Sequence, residues 1–220
     1  DLYPAYKVNW YDAIAFANRL SVLTGREECY ANTDDPNVDF NQQYDPDDLD
    51  VSFTTPYECN GFRLLTEAEW EYAARSGTTS EFWTGQGSQL GGTYSSNTTN
   101  GTETIVDGVS NPLLRDYAWY GGNNNNSYGA NGVKEVGQKL PNGFGLYDIY
   151  GNLGEWTADY FGGSYPQSST DPYYGAVFSH HVIRGGYWGY GPIYMRSSDR
   201  GGNIPSVRSG DFGFRIGLTP

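Results

Sequence analysis

The stretch Asn142-Gly143-Phe144-Gly145-Leu146-Tyr147-Asp148-Ile149-Tyr150-Gly151-Asn152-Leu153-Gly154-Glu155-Trp156 has four glycines and four large aromatic residues within fifteen positions. Glycine and asparagine break any helical or strand pattern every few residues, while Phe144, Tyr147, Tyr150 and Trp156 offer large areas for burial. That combination predicts short extended pieces joined by ordered turns. Two carboxylates, Asp148 and Glu155, fall in the same stretch and are candidates for acid/base work, cation binding or a hydrogen-bonded turn.

The rest of the chain has the same character. It is 220 residues long, enough for one substantial core, and its 30 Gly and 11 Pro are set against 20 Tyr, 10 Phe and 6 Trp. Aromatic side chains therefore carry the core, and their number argues against disorder. A formal charge of -13 excludes nucleic acid and anionic lipid as natural partners, since both are bound through concentrated basic residues. No segment is long and apolar enough to span a membrane, and Asp1-Leu2-Tyr3-Pro4 lacks the regions of a signal peptide, which suggests a mature or trimmed chain. The only cysteines, Cys29 and Cys59, are compatible with one structural disulfide in an oxidising compartment or with two buried thiols.

Two helices are expected. Asn9 followed by Asp12 resembles a capped start, and Trp10, Ala13, Ile14, Ala17 and Leu20 recur at helical spacing until Gly25. Thr66-Glu67-Ala68-Glu69 is a capping box, opening a shorter helix with Trp70, Ala73 and Ala74 as its apolar stripe and Gly77 as its stop. Its Glu67 and Glu71 are expected to face water or arginine partners. Between Asp34 and Asp50 seven aspartates occur without the ligand ladder of an EF-hand, so a solvated loop is predicted. Residues 81–131 read as irregular structure pinned by isolated aromatic rings.

Four blocks in order resemble the formylglycine-generating-enzyme-like (sulfatase-modifying-factor) family: Val8–Ala13, Gly61–Arg75, Asn142–Trp156, and Arg184-Gly185-Gly186-Tyr187-Trp188 closing with Gly213-Phe214-Arg215. The resemblance covers nearly the whole chain. It implies one α+β domain of C-type-lectin type, residues 1–220, with two helices, small antiparallel sheets and much irregular structure. It also implies a further N-terminal segment that is missing here. In relatives the stretch matching Asp148 to Glu155 wraps a structural calcium ion, so the resemblance offers Asp148 and Glu155 as side-chain ligands and Gly151 and Leu153 as carbonyl ligands.

The family's oxidising members use a cysteine pair five residues apart before the final arginine motif, and the matching positions here are Pro192 and Ser197. Cys29 and Cys59 lie far upstream, so formylglycine generation is not expected. Iron-dependent sulfoxide chemistry needs three histidine ligands, and the chain has only the adjacent His180 and His181. A carboxylate site at Asp148 and Glu155 is the remaining catalytic alternative, with no other catalytic cofactor.

Between Arg184 and Arg215 the residues Arg184, Gly185, Gly186, Trp188, Arg196, Ser197, Arg200, Pro205, Arg208, Gly213, Phe214 and Arg215 fit the family framework. Interspersed among them, Tyr187, Gly189, Tyr190, Gly191, Ile193, Tyr194, Asp199, Gly201, Gly202, Ser206, Val207, Ser209, Gly210, Asp211 and Phe212 do not. This alternation resembles the variable proteins of diversity-generating retroelements, the treponemal kind among them, in which adenine-directed mutagenesis randomises AAC-type codons at the C-terminus of a C-type-lectin domain. Such codons exclude Lys, Glu, Gln, Met and Trp, and the fifteen positions contain none of these. The resemblance implies a non-enzymatic, monomeric binding protein, exported to the cell surface with any lipid anchor outside this chain. Its partner would be a protein or glycan, recognised through anchors at Tyr187, Tyr190, Tyr194 and Phe212. Trp188 is assigned to the core, and the segment's arginines to pinning loops.

Overall fold

The computed structural model describes residues 2–30, 53–84, 114–121, 123–124, 132–162, 165, 170–176 and 178–219. The acidic stretch 34–50 lies outside these residues, as does most of the region 81–131.

Helix α1, Trp10–Leu23, starts where the sequence places it. The Asn9 side chain accepts from the Asp12 amide, and the Asp12 carboxylate accepts from the Asn9 amide. Its buried face, Trp10, Ala13, Ile14 and Ala17, packs with Tyr30, Leu64, Trp156 and Ile183 into one core cluster. Each large side chain buried this way contributes about 1.5–3 kcal/mol. Helix α2, Glu67–Arg75, has the reciprocal Thr66/Glu69 capping box and ends through Ser76 and Gly77, both in the left-handed region. Its Trp70 and Ala74 join Phe82, Leu114, Tyr120, Tyr150 and Met195 in a second cluster. A third, one-turn helix, α3, Leu114–Tyr117, was not anticipated, and neither were the 3-10 turns Pro56–Glu58 and Pro192–Met195. Such short turns carry no periodicity to detect.

The strands are short: β1 Phe62–Leu64, β2 Ala118–Trp119, β3 Tyr150–Gly151, β4 Gly154–Tyr160, β5 His181–Arg184, β6 Gly201–Asn203, β7 Phe212–Phe214 and β8 Ile216–Leu218. They form two two-stranded sheets, β1-β8 and β2-β3, and a four-stranded sheet ordered β6-β5-β4-β7. The sheets are not purely antiparallel: β2 pairs with β3, and β4 with β7, in parallel. Parallel pairing needs a long crossover rather than a hairpin, so no turn signal in the sequence announces it. Cys29 and Cys59 are joined in a disulfide that ties the end of the α1 segment to the turn before β1.

Candidate binding face

The four-stranded sheet carries the C-terminal segment at both of its edges, β6 on one side and β7 on the other, with β5 and β4 between. Register sets Ile183 beside Gly201 and Gly154 beside Phe212. These residues, together with Gly185, Gly186, Tyr187, Tyr190, Asp199, Gly202, Asn203 and Asp211, line a groove of about 170 Å³. Seven of the fifteen interspersed positions, Tyr187, Tyr190, Asp199, Gly201, Gly202, Asp211 and Phe212, therefore converge on one concavity. Gly189, Gly191, Ile193 and Tyr194 flank it, in and beside the Pro192–Met195 turn. Ser206, Val207, Ser209 and Gly210 lie apart, in the loop whose backbone meets the start of α1 and the residues before it, through Trp10 N–H to Pro205 O and Lys7 N–H to Ser209 O. None of the fifteen is buried, and Tyr190, Tyr194, Gly201 and Ser206 are exposed.

Three tyrosine rings form a continuous ladder on the rim. Tyr187 and Tyr190 have centroids 3.8 Å apart, and Tyr190 and Tyr194 are 4.6 Å apart. Phe212, expected as an anchor of the same kind, divides its surface: one edge lines the groove while its ring packs at 5.4 Å on core Trp156. Trp188 corrects the assignment made for it. It is half-buried rather than core, and its indole nitrogen has no partner among the described residues. Gly154, Ile183 and Asn203 complete the groove without any local signal in the chain, because sheet pairing brings them in.

The face is held from beneath by ion pairs. Arg184, fully buried, reaches Glu71 and the carbonyls of Asp199 and Ser197, the latter at 2.8 Å, and lies 3.4 Å from Glu67. Arg200 grips Glu67 with two bonds of 2.6 and 2.7 Å, and Arg208 pairs with Asp12. Arg196 bonds the Ile193 carbonyl at 2.8 Å and the Asp199 carboxylate at 3.3 Å. Guanidinium forks suit this task because one side chain can satisfy several carbonyls and a carboxylate together. Glu67 and Glu71 thus face arginines.

The glycines of the segment divide between framework and interspersed positions. Framework Gly185 and Gly186 have φ of +91° and +66°, and a Cβ at Gly186 would stand 2.6 Å from the Tyr194 carbonyl oxygen. A Cβ at Gly213 would stand 2.8 Å from the Ala5 carbonyl. By contrast, Gly191 and Gly210 have nothing within 4 Å, Gly201 meets only the Ile183 carbonyl at 3.6 Å, and Gly189 meets only the Tyr187 ring, at 3.3 Å. Gly202 is the exception, facing the Phe161 ring at 2.5 Å.

A larger cavity of about 380 Å³ lies elsewhere, lined by Asp148, Leu153, Glu155 and Arg215 among others. Glu155, expected as a calcium ligand, is committed to other partners there. Both Glu155 oxygens are taken by Arg215, at 2.8 and 3.0 Å, and Trp70 donates to one of them at 2.7 Å. Asp148 accepts from the Gly137 amide at 2.7 Å and keeps its other oxygen unpartnered; burial pushes its carboxyl up. The Gly151 amide bonds the Gly185 carbonyl. A calcium ion asks for six to eight oxygens, and a guanidinium occupies the place where the strongest donor would serve. The positions that match the oxidising cysteines hold Pro192, which opens a 3-10 turn, and buried Ser197, whose hydroxyl lies 2.6 Å from that of Tyr150.

A sequence profile of the sulfatase-modifying factor enzyme 1-like domain matches residues 1–219. The chain belongs to this family. The family and fold expected from the four sequence blocks are those found. A solved structure, Treponema denticola variable protein 1, superposes with a TM-score of 0.74 at 32% identity, covering 100% of this chain and 72% of that one. Chaperone protein LppX of Paenibacillus barcinonensis is 31% identical over 188 residues, 84% of this chain and 59% of that protein. The formylglycine-generating enzyme of Mycobacterium tuberculosis is 38% identical over 112 residues, 51% of this chain and 31% of the enzyme. The chain thus spans three fifths or less of the length of these two relatives. No helix among the described residues is long and apolar enough to cross a membrane.

Proposed function

We propose that this chain is a non-enzymatic binding protein in which a rigid family scaffold displays a diversified face, residues 184–215, to a protein or glycan ligand outside the cell. One observation carries the reading: positions that depart from the family framework have side chains, or room for side chains, at the surface, whereas framework residues between them are clamped. None of the fifteen is buried, and three of their five glycines, Gly191, Gly201 and Gly210, leave space for a Cβ at ordinary backbone angles. Arg184, Gly185, Ser197, Pro205 and Gly213 are buried. Likeness to a variable protein over the full chain supports it.

Recognition would follow from physical chemistry at this face. Tyrosine gives broad contact area at low entropic cost, glycine permits close approach, and a pre-formed surface loses little freedom on binding. The catalytic alternative would have to use the Asp148/Glu155 cavity, where Glu155 is already bound to Arg215 and Trp70. Sequencing the 3′ end of the gene across isolates, beside any near-copy next to a reverse-transcriptase gene, tests the reading. Differences confined to the fifteen codons and to adenines of the copy are expected. An invariant segment without a copy overturns it.

A further inference from the structure

The groove on the sheet edge suits a particular guest, and this inference rests on the reading of that face as the binding surface. We infer that the groove accepts a basic side chain, arginine or lysine, projecting from a protein partner. Its size favours a single side chain: about 170 Å³ falls below the roughly 300–1,000 Å³ of sites that enclose a drug-sized molecule. Its charge favours a cation. Asp199 and Asp211 line it, and no lysine or arginine does. Asp211 accepts from the Ser209 hydroxyl at 2.9 Å and forms no ion pair with the described residues, while the Asp199 carboxylate is paired with Arg196, at 3.3 Å. Burial raises the Asp199 carboxyl, so a cation arriving there meets a carboxylate short of solvent.

The aromatic rim supplies the rest. Tyr190 and Tyr194 are 38% and 41% exposed, their rings tilted in succession from Tyr187, and a guanidinium or an alkylammonium stem gains both cation–π attraction and apolar contact on such rings. A net charge of -13 draws basic partners toward the protein before contact. An acidic guest would meet both carboxylates on a wall that carries no lysine or arginine, and a neutral sugar would leave Asp211 without a cation.

The test uses the whole chain with N-acetyl-arginine methylamide as probe, against N-acetyl-glutamate methylamide and methyl α-mannoside, followed by NMR of the tyrosine rings. The arginine probe is expected to bind saturably, to weaken as salt rises, and to lose about tenfold in affinity, or about 1.4 kcal/mol, in Asp211→Asn. Asp211→Asn keeps an oxygen for Ser209, and Tyr190→Ala removes an exposed ring, so both variants leave the core untouched. Preferred binding of the glutamate or mannoside probe, lost in Tyr190→Ala, overturns the basic guest while leaving the recognition face standing. Arginine binding that is unchanged in Asp211→Asn, or no response to any probe, also overturns it; the wider reading is then decided by the isolate sequences alone.

Discussion

Alanine at Gly186 and at Gly191 should move stability in opposite directions although the two glycines are five residues apart. Gly186 sits at φ +66°, and its Cβ would lie 2.6 Å from both the Tyr194 carbonyl and the Met195 side chain. The left-handed conformation costs an alanine about 1–2 kcal/mol, and forcing extra volume against fixed backbone costs a further 1–3 kcal/mol or so. The expected loss for Gly186→Ala is therefore about 2–5 kcal/mol. Gly191 has φ -76° and ψ 164°, with nothing within 4 Å of the added carbon. Alanine there restricts the unfolded chain without native strain and should stabilise by about 0.4–1 kcal/mol. Urea denaturation followed by tryptophan fluorescence reads both as midpoint shifts at constant slope. If the two variants shift by the same amount, or Gly191→Ala is the more damaging, the division between clamped and free positions is refuted.

Arg184→Met should cost about 3–5 kcal/mol by the same assay, because Glu67 and Glu71 lose a buried cation; a loss under about 1 kcal/mol would mean Arg200 and Arg75 compensate. Reducing the Cys29–Cys59 bond, which closes a 30-residue separation, should lower stability by about 3–4 kcal/mol in the chain-entropy account, checked by comparing urea midpoints with and without reductant. Millimolar calcium or a chelator should leave the midpoint unchanged, while Glu155→Gln lowers stability by about 1.5–3 kcal/mol through the loss of charge at Arg215. Two buried groups give opposing pH dependences. Burial pushes His181 down to about 3, so its contribution is present above its unfolded value near 6.5 and lost as pH falls toward 3. Burial and the Glu67 carboxylate push Asp159 up to about 7 against the pull of two backbone amides, so its contribution is present below about 4 and lost as pH rises to 7. Carbon NMR should place the Asp159 midpoint near 7, and His181→Phe should flatten the acid limb of the stability profile.

Both main helices were legible because their signals are local: the Asn9/Asp12 and Thr66/Glu69 boxes and the apolar spacing that follows them. The sheet was not, since β4 draws its parallel partner β7 from more than fifty residues away, and nothing in either strand states the pairing. The same holds for the groove: Tyr187 and Asp211 could be singled out by their mismatch with the framework, whereas Gly154 and Asn203 join them only through register. The partner of Glu155 was hidden for a related reason. Asp148 and Glu155 have the right chemistry, but Arg215, sixty residues on, folds back onto Glu155.

Because the groove is lined from all four strands in the order β6-β5-β4-β7, its span is set by three inter-strand spacings, about 14 Å in all. Main-chain hydrogen bonds, rather than the side chains along the edges, hold that span. Successive versions of the face would therefore change in polarity, charge and relief while keeping one gauge across the strands. Whatever partners such versions meet, the geometry selects those that offer a narrow, protruding ridge.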